Sequence, residues 1–257
     1  MTLTVECEQL ELHYLQQPNG GRLQFAVDDL PSEIIDTGGD LAPAIYRFTP
    51  SAGSHEYSLR TLDHAPVRLF GWSADNHAGV TYETFGINGA HARQQLDWDQ
   101  SILASEMASH DPVLIVVAYG TNEALNKGWT VQEYATAFGQ VIQRLRADAP
   151  LASILVVGPP DCETRFRGRR VPFPRLDEVI EIQREVARLT GCAFWDWRGR
   201  MGGPGSVREW VQAGLGQGDY VHMTPAGYRL VGSMLFDELM AQYNRFVTLR
   251  AEAIIGH

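Results

Sequence analysis

The run Pro112-Val113-Leu114-Ile115-Val116-Val117-Ala118-Tyr119 constrains the fold more than any other segment. It holds no charge and no apolar–polar alternation. It is too short to cross a bilayer and reads as a strand covered on both faces, which is the setting of a parallel sheet flanked by helices. The flanking segments agree. Val80–Ile87 reads as a strand and Ala90–Ser109 as a helix. Thr130 and Glu133 form a capping box that opens a helix to about Asp148. Ser153–Val157 is a second buried strand. Leu176–Leu189 is helical, with Gly191 where a C-terminal cap belongs. Cys192–Trp197 is a third short strand. Thr224 caps a last helix, with Pro225 at its first position, to about Tyr243. Strands alternating with helices imply an α/β domain with a parallel sheet and helices on both faces.

The chain before Gly79 has another rhythm. Leu10, Leu12 and Tyr14 alternate with polar residues, as do Leu23, Phe25 and Val27. Between them lies the turn sequence Pro18-Asn19-Gly20-Gly21. Further strands are expected at His55–Leu62 and Val67–Trp72. This is the pattern of a small antiparallel β-sandwich or jelly roll ending near Asn76. The expected division is 1–76 for the sandwich and 77–257 for the α/β domain, and 257 residues suffice for both.

The net charge of −10 makes nucleic acid and anionic membrane surfaces poor partners. It suits neutral or cationic substrates, or serves solubility alone. The opening MTLTVECEQLELHYL has neither the basic start nor the apolar run of a signal peptide, and no stretch is apolar enough for a transmembrane segment. Cys7, Cys162 and Cys192 match no metal spacing. Cys162 and Cys192 could pair in an oxidising compartment. No metal and no cofactor is expected.

Ligands of open α/β sheets bind beyond the carboxyl ends of the strands. Three segments fall there: Phe85–Ala90 (FGINGA), Tyr119–Glu123 (YGTNE) and Asp219–His222 (DYVH). An Asp three residues before a His can fix the imidazole tautomer and leave the other ring nitrogen as a general base. Equally, Asp219 can be a loop acid and His222 a surface residue near a helix start. The Asn122 amide can donate to a developing oxyanion, and Gly89 can offer a backbone N–H to the same atom. Equally, both can belong to ordinary strand-to-helix turns.

Taken together, Gly89, Gly120-x-Asn122 and Asp219-x-x-His222 before a capped final helix resemble the SGNH (GDSL) hydrolase family over roughly Gly79 to Tyr243. The resemblance implies a flavodoxin-like three-layer α/β/α domain and serine esterase chemistry. It implies oxyanion donors at Gly89 and Asn122, a catalytic base at His222, and Asp219 as its orienter. Glu123 stands where that family commonly has Asp. The runs GVTYETFGINGA from Gly79, AYGTNEA from Ala118 and WDWRGRMGG from Trp195 are similar to peptidoglycan O-acetylesterases. In those enzymes a carbohydrate-binding-module-like sandwich is inserted into the esterase domain. An acetylated carbohydrate is then the implied substrate, and a periplasmic or secreted location is implied for the full-length protein.

The family's first block, Gly-Asp-Ser, is absent. Gly39-Asp40 is followed by Leu41, and Ser73, Ser101 and Ser206 sit on no glycine-rich elbow. The expectation is that the first strand and the nucleophilic serine lie upstream, in a longer protein of which this chain is a truncated piece. Without that strand, the strands at Val80–Ile87 and Pro112–Tyr119 should have unpaired edges or collapse toward each other. The chain alone is then expected to be inactive and poorly stable. The alternative function is a non-catalytic glycan-binding protein, a pseudoenzyme, with Trp72, Tyr46 and Tyr57 stacking on sugars.

Overall fold

The computed structural model describes residues 1–255, with side chains to Arg250. It divides into two compact units, Met1–Gly86 with Asp99–Ser109, and Ile87–Trp98 with the chain from His110 onward.

The first unit is built on two antiparallel sheets. One has the order β1 (Thr2–Glu6), β6 (Ser54–Thr61), β3 (Arg22–Val27), β4 (Glu33–Asp36). The other runs β5 (Ala42–Phe48), β2 (Gln9–Gln16), β7 (Arg68–Asp75). Successive strand residues face opposite sides, so the alternating residues supply the core. Leu10 and Leu12 of β2, Leu23 and Phe25 of β3, and Tyr57 of β6 are all buried in it. Phe25 meets Tyr46 and Phe48 edge-on, with centroids 5.1 and 5.4 Å away. Tyr57 is fully buried, so it cannot stack on a sugar. The same unit holds most of helix α1 (Gln100–His110), whose Glu106 carboxylate lies 3.0 Å from Nδ1 of the buried His13.

The second unit is centred on a three-stranded parallel sheet in the order β12 (Ala193–Trp195), β9 (Ser153–Val157), β8 (Leu114–Ala118). α3 (Val131–Asp148) begins at Thr130, whose Oγ1 accepts the Glu133 N–H at 3.2 Å while the Glu133 carboxylate takes the Thr130 N–H at 2.6 Å. Its Tyr134, Phe138, Val141, Ile142 and Leu145 form one buried stripe at helical spacing. α4 (Leu176–Leu189) buries Leu176, Val179, Ile180 and Val186 in the same way. The short helices α2 (Thr121–Leu125), α5 (Trp197–Met201) and α6 (Val207–Gln212), the hairpin β10 (Glu163–Phe166)–β11 (Arg169–Pro172), and the long α7 (Pro225–Ile255) complete the unit.

Four expectations need correction. Residues 80–87 form no strand; Val80 is 98% and Tyr82 91% exposed. Alternating apolar residues supply strand propensity, but a strand persists only where a partner takes up its backbone hydrogen bonds. The single helix over Ala90–Ser109 is instead a 3₁₀ helix, Ala92–Asp97, followed by α1. The break falls where Asp99 Oδ1 accepts the N–H groups of Ser101 and Ile102 at 2.9 and 3.1 Å and starts a new helix. The last helix runs past Tyr243 to Ile255. Finally, β8 is not covered on both faces. Among the described residues it pairs with β9 along one edge only, and Val113, Leu114 and Val116 are 86%, 41% and 45% exposed. Cys7, Cys162 and Cys192 are free thiols, and burial pushes Cys162 up to about 12. Among the described residues no helix is long and apolar enough to cross a membrane.

Candidate active site

The chain leaves β8 through Gly120, which has φ +122°. An added Cβ there would sit 2.9 Å from Gln183 Nε2, Pro159 Cδ and Val179 Cγ1, so both the conformation and the space require glycine. The turn points the next residues into α2 beyond the carboxyl end of the strand. Glu123, in the first turn of α2, is 2% exposed. Its Oε2 accepts the Gly120 N–H at 3.0 Å and its Oε1 accepts the Ala92 N–H at 2.7 Å. The Asn122 amide donates to the Ala90 carbonyl at 2.9 Å. These bonds tie Ala90 and Ala92 to the YGTNE turn. Gly89, next to Ala90, has φ +76°, and a Cβ added there would meet open space.

Asp219 and His222 lie in the loop between α6 and α7. Asp219 Oδ1 accepts the N–H groups of Val221 and His222 at 2.9 and 3.0 Å, and its Oδ2 lies 2.7 Å from His222 Nδ1. One carboxylate thus shapes the loop and orients the ring that the loop carries. Burial raises the Asp219 carboxyl, but the bonds from His222 and from the two backbone N–H groups outweigh it and hold the group below its usual 3.8. With the carboxylate ionised, Nδ1 carries the ring proton. Nε2 is then a lone-pair nitrogen with no partner among the described residues, and the ring is 64% exposed. Tyr220, between the pair, has φ +68°, a costly conformation for a bulky residue. It is held by the Arg170 guanidinium, 4.0 Å from its ring centroid, and by the Glu163 N–H, which donates to its carbonyl at 3.0 Å. Arg170 also donates to the carbonyls of Asp219 and Gly218 at 2.6 and 2.7 Å.

The same unit holds a buried ion pair. Asp161 Oδ1 takes Arg198 Nε at 3.0 Å, and its Oδ2 takes the Val207 N–H at 3.1 Å. Arg198 bonds Asp177 as well.

Asp219 is therefore brought to His222, and Asn122 to the neighbourhood of Gly89. No hydrogen bond joins the two pairs, and none links His222 to a serine, among the described residues. Reading the sequence missed Arg170, Glu163 and the bridging role of Glu123. The cluster Arg165-Phe166-Arg167-Gly168-Arg169-Arg170 was the available signal for Arg170. Its partners are backbone carbonyls, which no residue pattern reveals.

A family model described as GDSL-like Lipase/Acylhydrolase matches residues 52–230. That is well over half of the chain, which belongs to the GDSL-like lipase/acylhydrolase family. A solved peptidoglycan O-acetylesterase matches with 23% identity and a TM-score of 0.67, over 93% of this chain and 66% of its own. The likeness shows the fold. A lipase/acylhydrolase from Enterococcus faecalis (22% identity, TM-score 0.46, 60% of this chain and 72% of its own) and an acetyl xylan esterase (18%, 0.46, 60% and 78%) also match. At those TM-scores they add nothing to the fold assignment. The chain spans 66% of the length of the peptidoglycan O-acetylesterase structure. No curated protein sequence matches the chain.

Proposed function

We propose that this chain carries the base and the oxyanion donors of a serine esterase that removes O-acetyl groups from a carbohydrate such as peptidoglycan. The observation that carries the reading is the 2.7 Å contact between Asp219 Oδ2 and His222 Nδ1, with Nε2 left unpartnered. In the proposed reaction a serine hydroxyl attacks the acetyl carbonyl as His222 Nε2 takes its proton. The Gly89 N–H and the second amide proton of Asn122 hold the oxyanion. His222 returns the proton to the departing sugar oxygen. Water, deprotonated by the same nitrogen, then attacks the acyl-serine, and His222 passes that proton to the departing serine oxygen as acetate is released. The scheme uses no metal and no cofactor.

The serine is assigned to a Gly-Asp-Ser-bearing strand that pairs with β8. The one-sided pairing of β8 and the exposure of Leu114 and Val116 support this, because an apolar strand with an open edge is a ready template for another strand. On this reading residues 1–76 are a carbohydrate-binding-module-like insert, and the full-length protein works in the periplasm or outside the cell. The pseudoenzyme reading is weaker, since Tyr57, one of its three candidate stacking rings, is core.

The test is acetate release from O-acetylated peptidoglycan, with and without the upstream segment supplied. Release that needs both this segment and His222 supports the reading. Release by residues 1–257 alone, or no release from the two together, refutes it.

A further inference from the structure

The β10–β11 hairpin carries Arg165, Arg167, Arg169 and Arg170, in a chain of net charge −10. Its register sets Arg165 directly opposite Arg170, and Phe166 opposite Arg169. Opposed residues share a face, and like charges there destabilise a strand pair. Arg170 is committed to the carbonyls of Gly218 and Asp219. Arg165, Arg167 and Arg169 are exposed, and none has a carboxylate partner among the described residues. Phe166 is 59% exposed, with the Arg167 guanidinium 5.3 Å from its ring centroid. Arg169 and Phe166 thus share one face of a hairpin bonded to the Asp219–His222 loop, with Arg167 over the same ring, while Arg165 lies on the other face opposite Arg170.

We propose that this hairpin is a carboxylate-binding subsite beside that loop, and that it seats an anionic glycan. A guanidinium fork matches a carboxylate with two parallel N–H donors. An exposed ring offers a face to a sugar, which favours a carboxylate-bearing glycan over a small free anion. A local positive patch on an acidic protein also concentrates anionic substrate at the site while the rest of the surface repels it. The link to ester chemistry rests on the function proposed above; the binding itself does not.

The experiment is co-sedimentation of the protein with peptidoglycan sacculi stripped of O-acetyl groups, so that no turnover is required. It compares intact sacculi with sacculi whose carboxyls have been amidated, and the unaltered protein with R165Q/R167Q/R169Q. The expected result is salt-sensitive binding to intact sacculi. Amidation, and the triple substitution, should each weaken it about tenfold or more, as the loss of several charge-assisted contacts implies. Equal binding to amidated sacculi overturns the proposal, as does undiminished binding by the variant or no binding at all. The amidation arm uses the unaltered protein and decides the matter if the variant fails to fold. Loss of hydrolysis of neutral p-nitrophenyl acetate by the full-length protein would instead count against the esterase reading, so the two failures are distinguishable.

Discussion

The Glu123 carboxylate accepts the Ala92 backbone N–H at 2.7 Å, across 31 residues of sequence, while its other oxygen holds the Gly120 N–H at 3.0 Å. This side chain fixes the segment bearing Gly89 against the turn bearing Asn122. Glu123→Gln keeps the volume but turns an NH₂ group toward one of the two donors. A buried N–H left without an acceptor costs about 1–3 kcal/mol, so urea denaturation should show a loss of about that size. Glu123→Asp is one methylene shorter and should fail to reach both donors. Unchanged stability in both variants would mean that the bridge contributes nothing.

Asp219 should govern the behaviour of its loop at low pH. Its folded-state carboxyl titrates below the unfolded value of 3.8 because His222 and two N–H groups favour the ionised form. The loop's stabilisation is thus fully present above 3.8 and lost as pH falls through the lower, folded value. Protection from hydrogen exchange at Val221 and His222, relative to the intrinsic rate at each pH, should hold from pH 7 to about 4 and fall below that. Protection already lost between pH 6 and 5 would contradict the assignment. If the proposed esterase reaction holds, Asp219→Asn should lower its kcat by about 10⁴-fold, the scale of loss when a triad carboxylate becomes an amide.

Arg198 and Asp161 are buried, 7% and 1% exposed, and bonded at 3.0 Å. Arg198→Met strands the Asp161 carboxylate in the interior and should cost about 3–5 kcal/mol; Asp161→Asn leaves Arg198 its Asp177 partner and should cost less, and the double variant should cost less than the sum. Chemical denaturation of the three variants measures this. Additive losses would show that the two side chains act independently.

The open edge of β8 should make residues 1–257 self-associate, with low thermal stability. Val116→Lys places a charge on its exposed apolar face and should reduce association measured by light scattering, as charges do on natural edge strands. A monodisperse chain with a cooperative, high melting transition would show that β8 needs no partner.

The sandwich strands and β9, α3 and α4 were legible because period-two alternation, a buried apolar run and a capping box are local signals. The three candidate site segments stand out in the sequence only through their order along the chain. Residues 80–87 misled because propensity was present and the hydrogen-bonding partner was not. β8 differs in its faces: an uncharged apolar run describes a strand covered on both sides, yet Leu114 and Val116 are exposed. Arg170 and the Asp161–Arg198 pair depend on contacts between residues tens of positions apart, and no local pattern encodes those.

The most direct test of the account is acetate release from O-acetylated peptidoglycan by the full-length protein purified from its source cells, with and without His222→Ala. The account predicts release by the unaltered protein and its near-complete loss in the variant, since the members of a nucleophile–base unit fail together. No release from the unaltered protein, or release that His222→Ala leaves intact, would contradict it.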